Sequence, residues 1–132
     1  MGQEMADHSK KILIVEDDVA IRCLLEFALL TVGYQVYQAS DGAKALMIMK
    51  EHTPDLIITD VKMPVVDGYE LIKNLKECPD TSRIPVILMT AGRIESERVE
   101  NFPFMPDDYL RKPFTMGELQ SKVEKLLTCR KE

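Results

Sequence analysis

The chain has 132 residues, 45% of them apolar and 30% charged, with a formal charge of −5. These values fit one globular domain that buries roughly two-thirds of its unfolded surface, and they exclude a disordered chain. The acidic excess argues against direct binding to nucleic acid or to a membrane surface, since either needs a basic footprint.

Residues 1–9 read as a polar tail ahead of a single domain at 10–132. The tail has no apolar signal core, and no run approaches a membrane span. It begins Met-Gly, but Ala6 stands where a myristoylation pattern wants Ser or Thr. Cys23, Cys78 and Cys129 are widely spaced and form no CxxC pair. They predict a reduced, cytoplasmic protein.

Apolar runs then alternate with helical patterns. KILIV at 11–15 predicts a buried strand. Ile21, Leu24, Leu25, Ala28 and Leu29 follow the spacing of one helix face, which Gly33 ends. YQVYQA at 34–39 alternates like a strand with one wetter side. Asp41-Gly42 opens a helix carrying Ala43, Leu46 and Met47. DLIIT at 55–59 is a third strand, and Asp67 caps a helix that buries Leu71, Ile72 and Leu75. IPVILMT at 84–90 is a fourth strand, followed by a weak helical stretch at 94–101. DDYLR at 107–111 is a short fifth strand. Thr115 to Glu118 forms a capping box that opens a last helix with Leu119, Val123, Leu126 and Leu127 inward.

Five such βα units predict an α/β fold: a doubly wound parallel sheet of five strands in the flavodoxin-like order 2-1-3-4-5. Ligands of such sheets bind beyond the carboxyl ends of the strands. Those ends carry Glu16-Asp17-Asp18, Asp60, Thr90-Ala91 and Lys112-Pro113. The carboxylates alone would repel, by about 4 kcal/mol for two charges about 4 Å apart at an effective dielectric near 20. Mg²⁺ suits such a site, because it takes oxygen ligands and is commonly held by one or two carboxylates plus phosphate oxygens. Lys112 and Thr90, on the far side, suit an anion. A phosphoryl group between the two halves would satisfy both, with Asp60 in the centre as covalent acceptor.

Taken singly, each residue has a structural explanation. Asp18 is a helix cap, Asp60 a turn residue, Thr90 a cap and Lys112 a solvated loop residue. Their coincidence at one predicted edge argues for the site. His8 and His52 lack metal-ligand spacing and read as surface residues. Met47, Met49, Met63 and Met89 read as packing or loop residues.

The combination ILIVEDD, LIITDVKMPVVDGYEL, PVILMTA and DYLRKPF resembles the receiver domain of two-component response regulators, over residues 11 to 128. Thr90 lies thirty positions after Asp60, and Lys112 twenty-two positions after Thr90, which matches the family. The resemblance implies that Asp60 is the phosphoacceptor. It implies that Glu16, Asp17, Asp60 and the backbone carbonyl of Lys62 hold Mg²⁺. Thr90, the Ala91 N–H and Lys112 would bind phosphoryl oxygens, with a cis Lys112–Pro113 bond. Thr90 and Tyr109 would form the switch. The implied donor is a phosphohistidine on a sensor histidine kinase or a histidine phosphotransfer protein, and the implied consequence is a change of an output face, with phosphorylation-dependent homodimerisation and a downstream protein target among its uses. On this reading the chain is a phosphoacceptor module that assists its own phosphorylation and dephosphorylation, rather than an enzyme.

One stretch departs from the family. ENFPFMPDDYL places Pro103 and Met105-Pro106 where a small Gly-Ala-type step is usual. The prolines predict a short, shifted or loose fourth helix, with Phe102, Phe104 and Met105 either partner contacts or packing under the loop. Two other classes fit parts of the pattern. A haloacid-dehalogenase-type phosphatase would use Asp60 as nucleophile, but needs a second Asp where Lys62 stands. A flavin carrier would need a phosphate-binding loop where Glu16-Asp17-Asp18 stands.

Overall fold

The computed structural model describes residues 10–63, 66–91 and 105–128. The predicted tail at 1–9, the helical stretch at 94–101, Phe102, Pro103, Phe104 and Cys129 lie outside them. The elements are β1 (Lys11–Val15), α1 (Val19–Leu30), β2 (Gln35–Ala39), α2 (Gly42–Glu51), β3 (Leu56–Asp60), α3 (Gly68–Glu77), β4 (Val86–Thr90), β5 (Asp108–Arg111) and α4 (Met116–Thr128). All strand pairs are parallel and the order is β2-β1-β3-β4-β5, as predicted.

The central strands are buried on both faces because successive side chains point to opposite sides. Ile12, Ile14, Ile58, Ile87 and Met89 pack with Leu25, Ala28 and Leu29 of α1 and with Leu119 and Val123 of α4. Leu13, Val15, Ile57, Val86 and Leu88 pack on the other face with Ala45 and Met49 of α2 and with Leu71, Ile72 and Leu75 of α3. Each such Leu or Ile contributes roughly 1.5–3 kcal/mol relative to exposure.

Helix starts are fixed by side chains that take up otherwise unbonded N–H groups. The Asp18 carboxylate accepts from Ile21 N–H, Asp41 from Lys44 N–H, and Thr115 Oγ1 from Glu118 N–H. Asp67 and Glu70 form a full reciprocal capping box on α3. Gly33, with φ 99°, turns the chain after α1 towards β2.

One helix face differs from the sequence expectation, and a second is set only by packing in the fold. Leu24 is 43% exposed, because the inward arc of α1 runs through Ile21, Leu25, Ala28 and Leu29 and leaves Leu24 on its flank. In α2 the buried positions are Gly42, Ala45 and Met49, while Met47 is 66% exposed and Ala43 and Leu46 are half-buried. Gly42 packs on the backbone of Val66, and that contact sets the rotation of the helix, since residues three and seven positions on share its face. Leu126 and Leu127 are half-buried against the core, and β2 is half-buried rather than cleanly alternating because it is an edge strand.

The amino edge of the sheet carries two aspartates with one task. Asp55 N–H donates to the Lys11 carbonyl at 2.7 Å, and Asp55 Oδ2 accepts from Lys11 N–H at 2.8 Å. Asp107 does the same for Val86, at 2.8 Å in both directions, with Lys76 Nζ 3.6 Å from its carboxylate. Each closes the first backbone pair of the neighbouring strand.

Candidate functional site

Register alone brings the predicted residues to one place. Val15 lies beside Thr59, so Glu16 and Asp60 follow side by side from β1 and β3. Asp60 lies beside Met89, so Thr90 follows on β4. The Lys112 N–H donates to the Thr90 carbonyl at 2.7 Å, which ties the end of β5 to the end of β4. The Lys112–Pro113 bond is cis, as the resemblance implied.

Glu16, Asp17 and Asp60 each offer a carboxylate oxygen within 4.8 Å of the others. Asp17 is exposed, Asp60 half-buried and Glu16 only 1% exposed. The Lys112 ammonium stands 3.2 Å from Glu16 Oε1 and 3.3 Å from Asp60 Oδ1. The sequence reading set Lys112 across the pocket as an anion partner. Here its charge pairs with the two deeper carboxylates, because their close approach attracts the long cationic side chain beside them.

Burial raises the Glu16 pKa above its ordinary value. The Asp18 N–H, which donates to Glu16 Oε2 at 3.1 Å, works against burial. Asp60 adds to the rise and Lys112 opposes it. For Lys112 burial works downward, but the charges of Asp60 and Glu16 outweigh it, and the pKa is raised. The ammonium form is therefore held firmly. Three carboxylates face one ammonium, so the pocket retains negative charge and an all-oxygen donor set that suits a hard divalent cation.

Asp60 Oδ1 also accepts from Val61 N–H at 2.9 Å. Lys62 is exposed in the loop that leaves β3. Thr90 is 4% exposed and Ala91, just beyond it, is exposed. Tyr109 lies beside Leu88, so Tyr109, Leu88 and Thr90 share the sheet face that carries α2 and α3. Tyr109 is half-buried there, and burial raises its hydroxyl pKa. Met105, near the start of β5, is exposed.

One participant escaped the sequence reading. Arg22 Nη1 donates to the Glu16 carbonyl at 2.6 Å, and its Nε donates to Gln38 Oε1 at 2.9 Å. The guanidinium thus holds the backbone of the acidic turn against β2. The available signal was slight: one arginine in an otherwise mostly apolar helix.

Comparison with known proteins shows the family and the fold. The chain matches the response regulator receiver domain family over residues 12–124. It is 39% identical over 123 residues to a probable transcriptional regulator of Cyanophora paradoxa, covering 93% of this chain and 50% of that protein. The chain spans about half the length of the curated regulators it matches. Among solved structures, the signal receiver domain of a signal transduction histidine kinase from Syntrophus aciditrophicus superposes with TM-score 0.85 at 38% identity, over 94% of this chain and 96% of that one. The receiver domain of a sensor histidine kinase from Pseudomonas aeruginosa, whose active-site cleft coordinates a magnesium ion, gives TM-score 0.81 at 30% identity, over 90% and 98%. No helix of the described residues is long and apolar enough to cross a membrane.

Proposed function

The chain belongs to the response regulator receiver domains, and on that premise we propose that it accepts a phosphoryl group on Asp60 from a partner's phosphohistidine. Receiver domains are modules of signalling proteins rather than classical enzymes, and they bind Mg²⁺ at an acidic site. The observation that carries the reading is the convergence of Glu16, Asp17 and Asp60 with the Lys112 ammonium at the carboxyl edge of the sheet.

Glu16, Asp17, Asp60 and the Lys62 carbonyl are the residues that would hold Mg²⁺. When bound, the ion supplies charge neutralisation for the phosphoryl oxygens. The chain's own residues do the rest. An Asp60 oxygen attacks phosphorus while the P–N bond to the donor imidazole breaks, and the imidazole leaves with the electron pair. Lys112 and Thr90, with the Ala91 N–H, receive the phosphoryl oxygens. Positioning and charge carry the transfer, with little covalent work for the protein. Thr90 moving to the phosphoryl group opens space on the sheet face it shares with Tyr109, and Tyr109 follows; this is a local event that biases a two-state element. The donor is a sensor histidine kinase or histidine phosphotransfer protein. The output is a downstream protein or a second copy of the chain, and the compartment is the cytoplasm.

Incubation with a small acyl phosphate and Mg²⁺, read by intact mass, tests the reading. One phosphoryl group on the wild type and none on Asp60→Asn is the expected outcome. Continued release of phosphate over many turnovers would favour a hydrolase, and phosphorylation of Asp60→Asn would mean that another residue is the acceptor.

A further inference from the structure

The loop that leaves β3 is gripped by the first turns of two helices, and both grips are glycines. At Gly42, the first residue of α2, a Cβ would lie 2.6 Å from the Val66 carbonyl oxygen and 2.7 Å from Val66 Cγ1. At Gly68, the first residue of α3, a Cβ would collide with the carbonyl oxygen of Asp60 and lie 3.0 Å from Val61 Cα and from Leu88 Cδ1. Backbone oxygen cannot yield as a flexible side chain can. Gly68 N–H also donates to the Val61 carbonyl at 2.8 Å, while Val61 N–H donates to Asp60 Oδ1 at 2.9 Å. A short line of bonds therefore runs from the start of α3 through one residue to the carboxylate that faces Lys112.

We infer that Gly68 is a positioning residue for Asp60: the missing side chain lets the first turn of α3 close on the end of β3 and, through Val61, aim the Asp60 carboxylate. Gly42 grips the far end of the same loop, where its N–H donates to the Val66 carbonyl at 3.3 Å, and among the described residues that bond does not lead on to Asp60. The two glycines thus separate aiming from packing. Both stand at the first position of a helix and neither has a positive φ, so alanine brings no backbone strain of its own there. Loss on substitution therefore comes chiefly from the contacts. The inference rests on the proposed reading only in taking Asp60 as the reacting carboxylate.

The test compares Gly68→Ala and Gly42→Ala in the full chain by three measurements. These are thermal melting, Mg²⁺ titration by calorimetry without any donor, and the rate of phosphorylation by a small acyl phosphate at saturating Mg²⁺. Groups that orient a ligand typically matter by about 10–100-fold. Gly68→Ala is expected to weaken Mg²⁺ binding and to slow phosphorylation at saturation, each about tenfold, whereas Gly42→Ala melts lower but stays within about twofold of wild type in both. Equal losses in the two variants, following only their melting temperatures, would overturn the positioning role. So would an unchanged Mg²⁺ affinity in Gly68→Ala. If wild type is not phosphorylated while Gly68→Ala still weakens Mg²⁺ binding, the positioning role stands and the phosphoacceptor reading falls. If Gly68→Ala does not fold, the amide resonances of wild type decide. Gly68 and Val61 should shift with the Mg²⁺ binding midpoint and more than Gly42, and a Gly68 resonance that does not move overturns the inference.

Discussion

Both edges of the sheet carry carboxylates at strand ends, and they use them in opposite ways. At the amino edge, Asp55 and Asp107 stand apart, each closing one backbone pair on the neighbouring strand. At the carboxyl edge, Glu16, Asp17 and Asp60 point at one another, with Lys112 between the deeper two. The residue type is the same and so is its position beside an apolar run. Backbone N–H groups bond carboxylates at both edges, since Glu16 and Asp60 accept from Asp18 and Val61. What differs is that Glu16, Asp17 and Asp60 also crowd one another around a single ammonium, which leaves charge for a further cation. Convergence, not the presence of an acid at a strand end, is what marks the site.

The largest expected effect breaks the two edges apart through the metal. Asp17→Asn removes one charge from the cluster and should weaken Mg²⁺ binding by about tenfold or more, since electrostatics sets much of the affinity for a hard cation. Asp55→Asn at the opposite edge should leave that affinity unchanged. Calorimetric titration of both proteins gives the answer directly. An unchanged affinity in Asp17→Asn would remove Asp17 from the cation site, and a loss in Asp55→Asn equal to that in Asp17→Asn would erase the distinction between the edges.

Much of this was legible in the chain and some was not, for reasons that particular residues make plain. The strand order followed from buried apolar runs alternating with helical patterns. Glu16, Asp60, Thr90 and Lys112 were visible because each ends such a run, and a parallel sheet must gather those ends. The helix faces were less secure. Which side of α2 turns inward depends on Gly42 meeting Val66, a contact between residues far apart in sequence, so the apolar pattern does not reveal that Ala45 and Met49 are buried while Met47 is exposed. The tasks of Asp55 and Asp107 were hidden for the same kind of reason: an aspartate before a strand looks like a turn residue until the neighbouring strand's first N–H is known. The pairing of Lys112 with Glu16, ninety-six residues away, likewise exists only in the fold.

A smaller effect tests the amino edge on its own terms. Asp55→Ala leaves the Lys11 N–H without its carboxylate acceptor at a half-buried position. Losing a bond to a charged group there should cost about 1–2 kcal/mol in stability. Urea denaturation should show a lower midpoint with an unchanged slope, and Mg²⁺ affinity should hold. A variant as stable as wild type would mean that water replaces the carboxylate freely and that this cap contributes nothing.

The smallest effect concerns the charge state of Glu16 and sharpens the carboxyl edge. Its pKa is raised in the folded protein, above an ordinary value of 4.5, chiefly by burial. Between 4.5 and that raised value, the folded chain holds a proton on Glu16 that the unfolded chain has already released. The folded state then binds more protons, so stability contributed by this group falls as pH rises through the window and levels off above it. Glu16→Gln removes the titration. The stability of wild type relative to Glu16→Gln should therefore decline from pH 4.5 upward and then stay flat into the neutral range. Lys112 does not interfere, since its raised pKa keeps it protonated below 10.5, where its contribution is fully present. Thermal melts of both proteins in chelator, taken at half-unit intervals of pH, measure the difference. A difference that grows in favour of wild type as pH rises through the window would mean that Lys112 and the Asp18 N–H outweigh burial. Glu16 would then sit at this edge as a well-satisfied anion, closer in kind to Asp55 than to a carboxylate held in need of a cation.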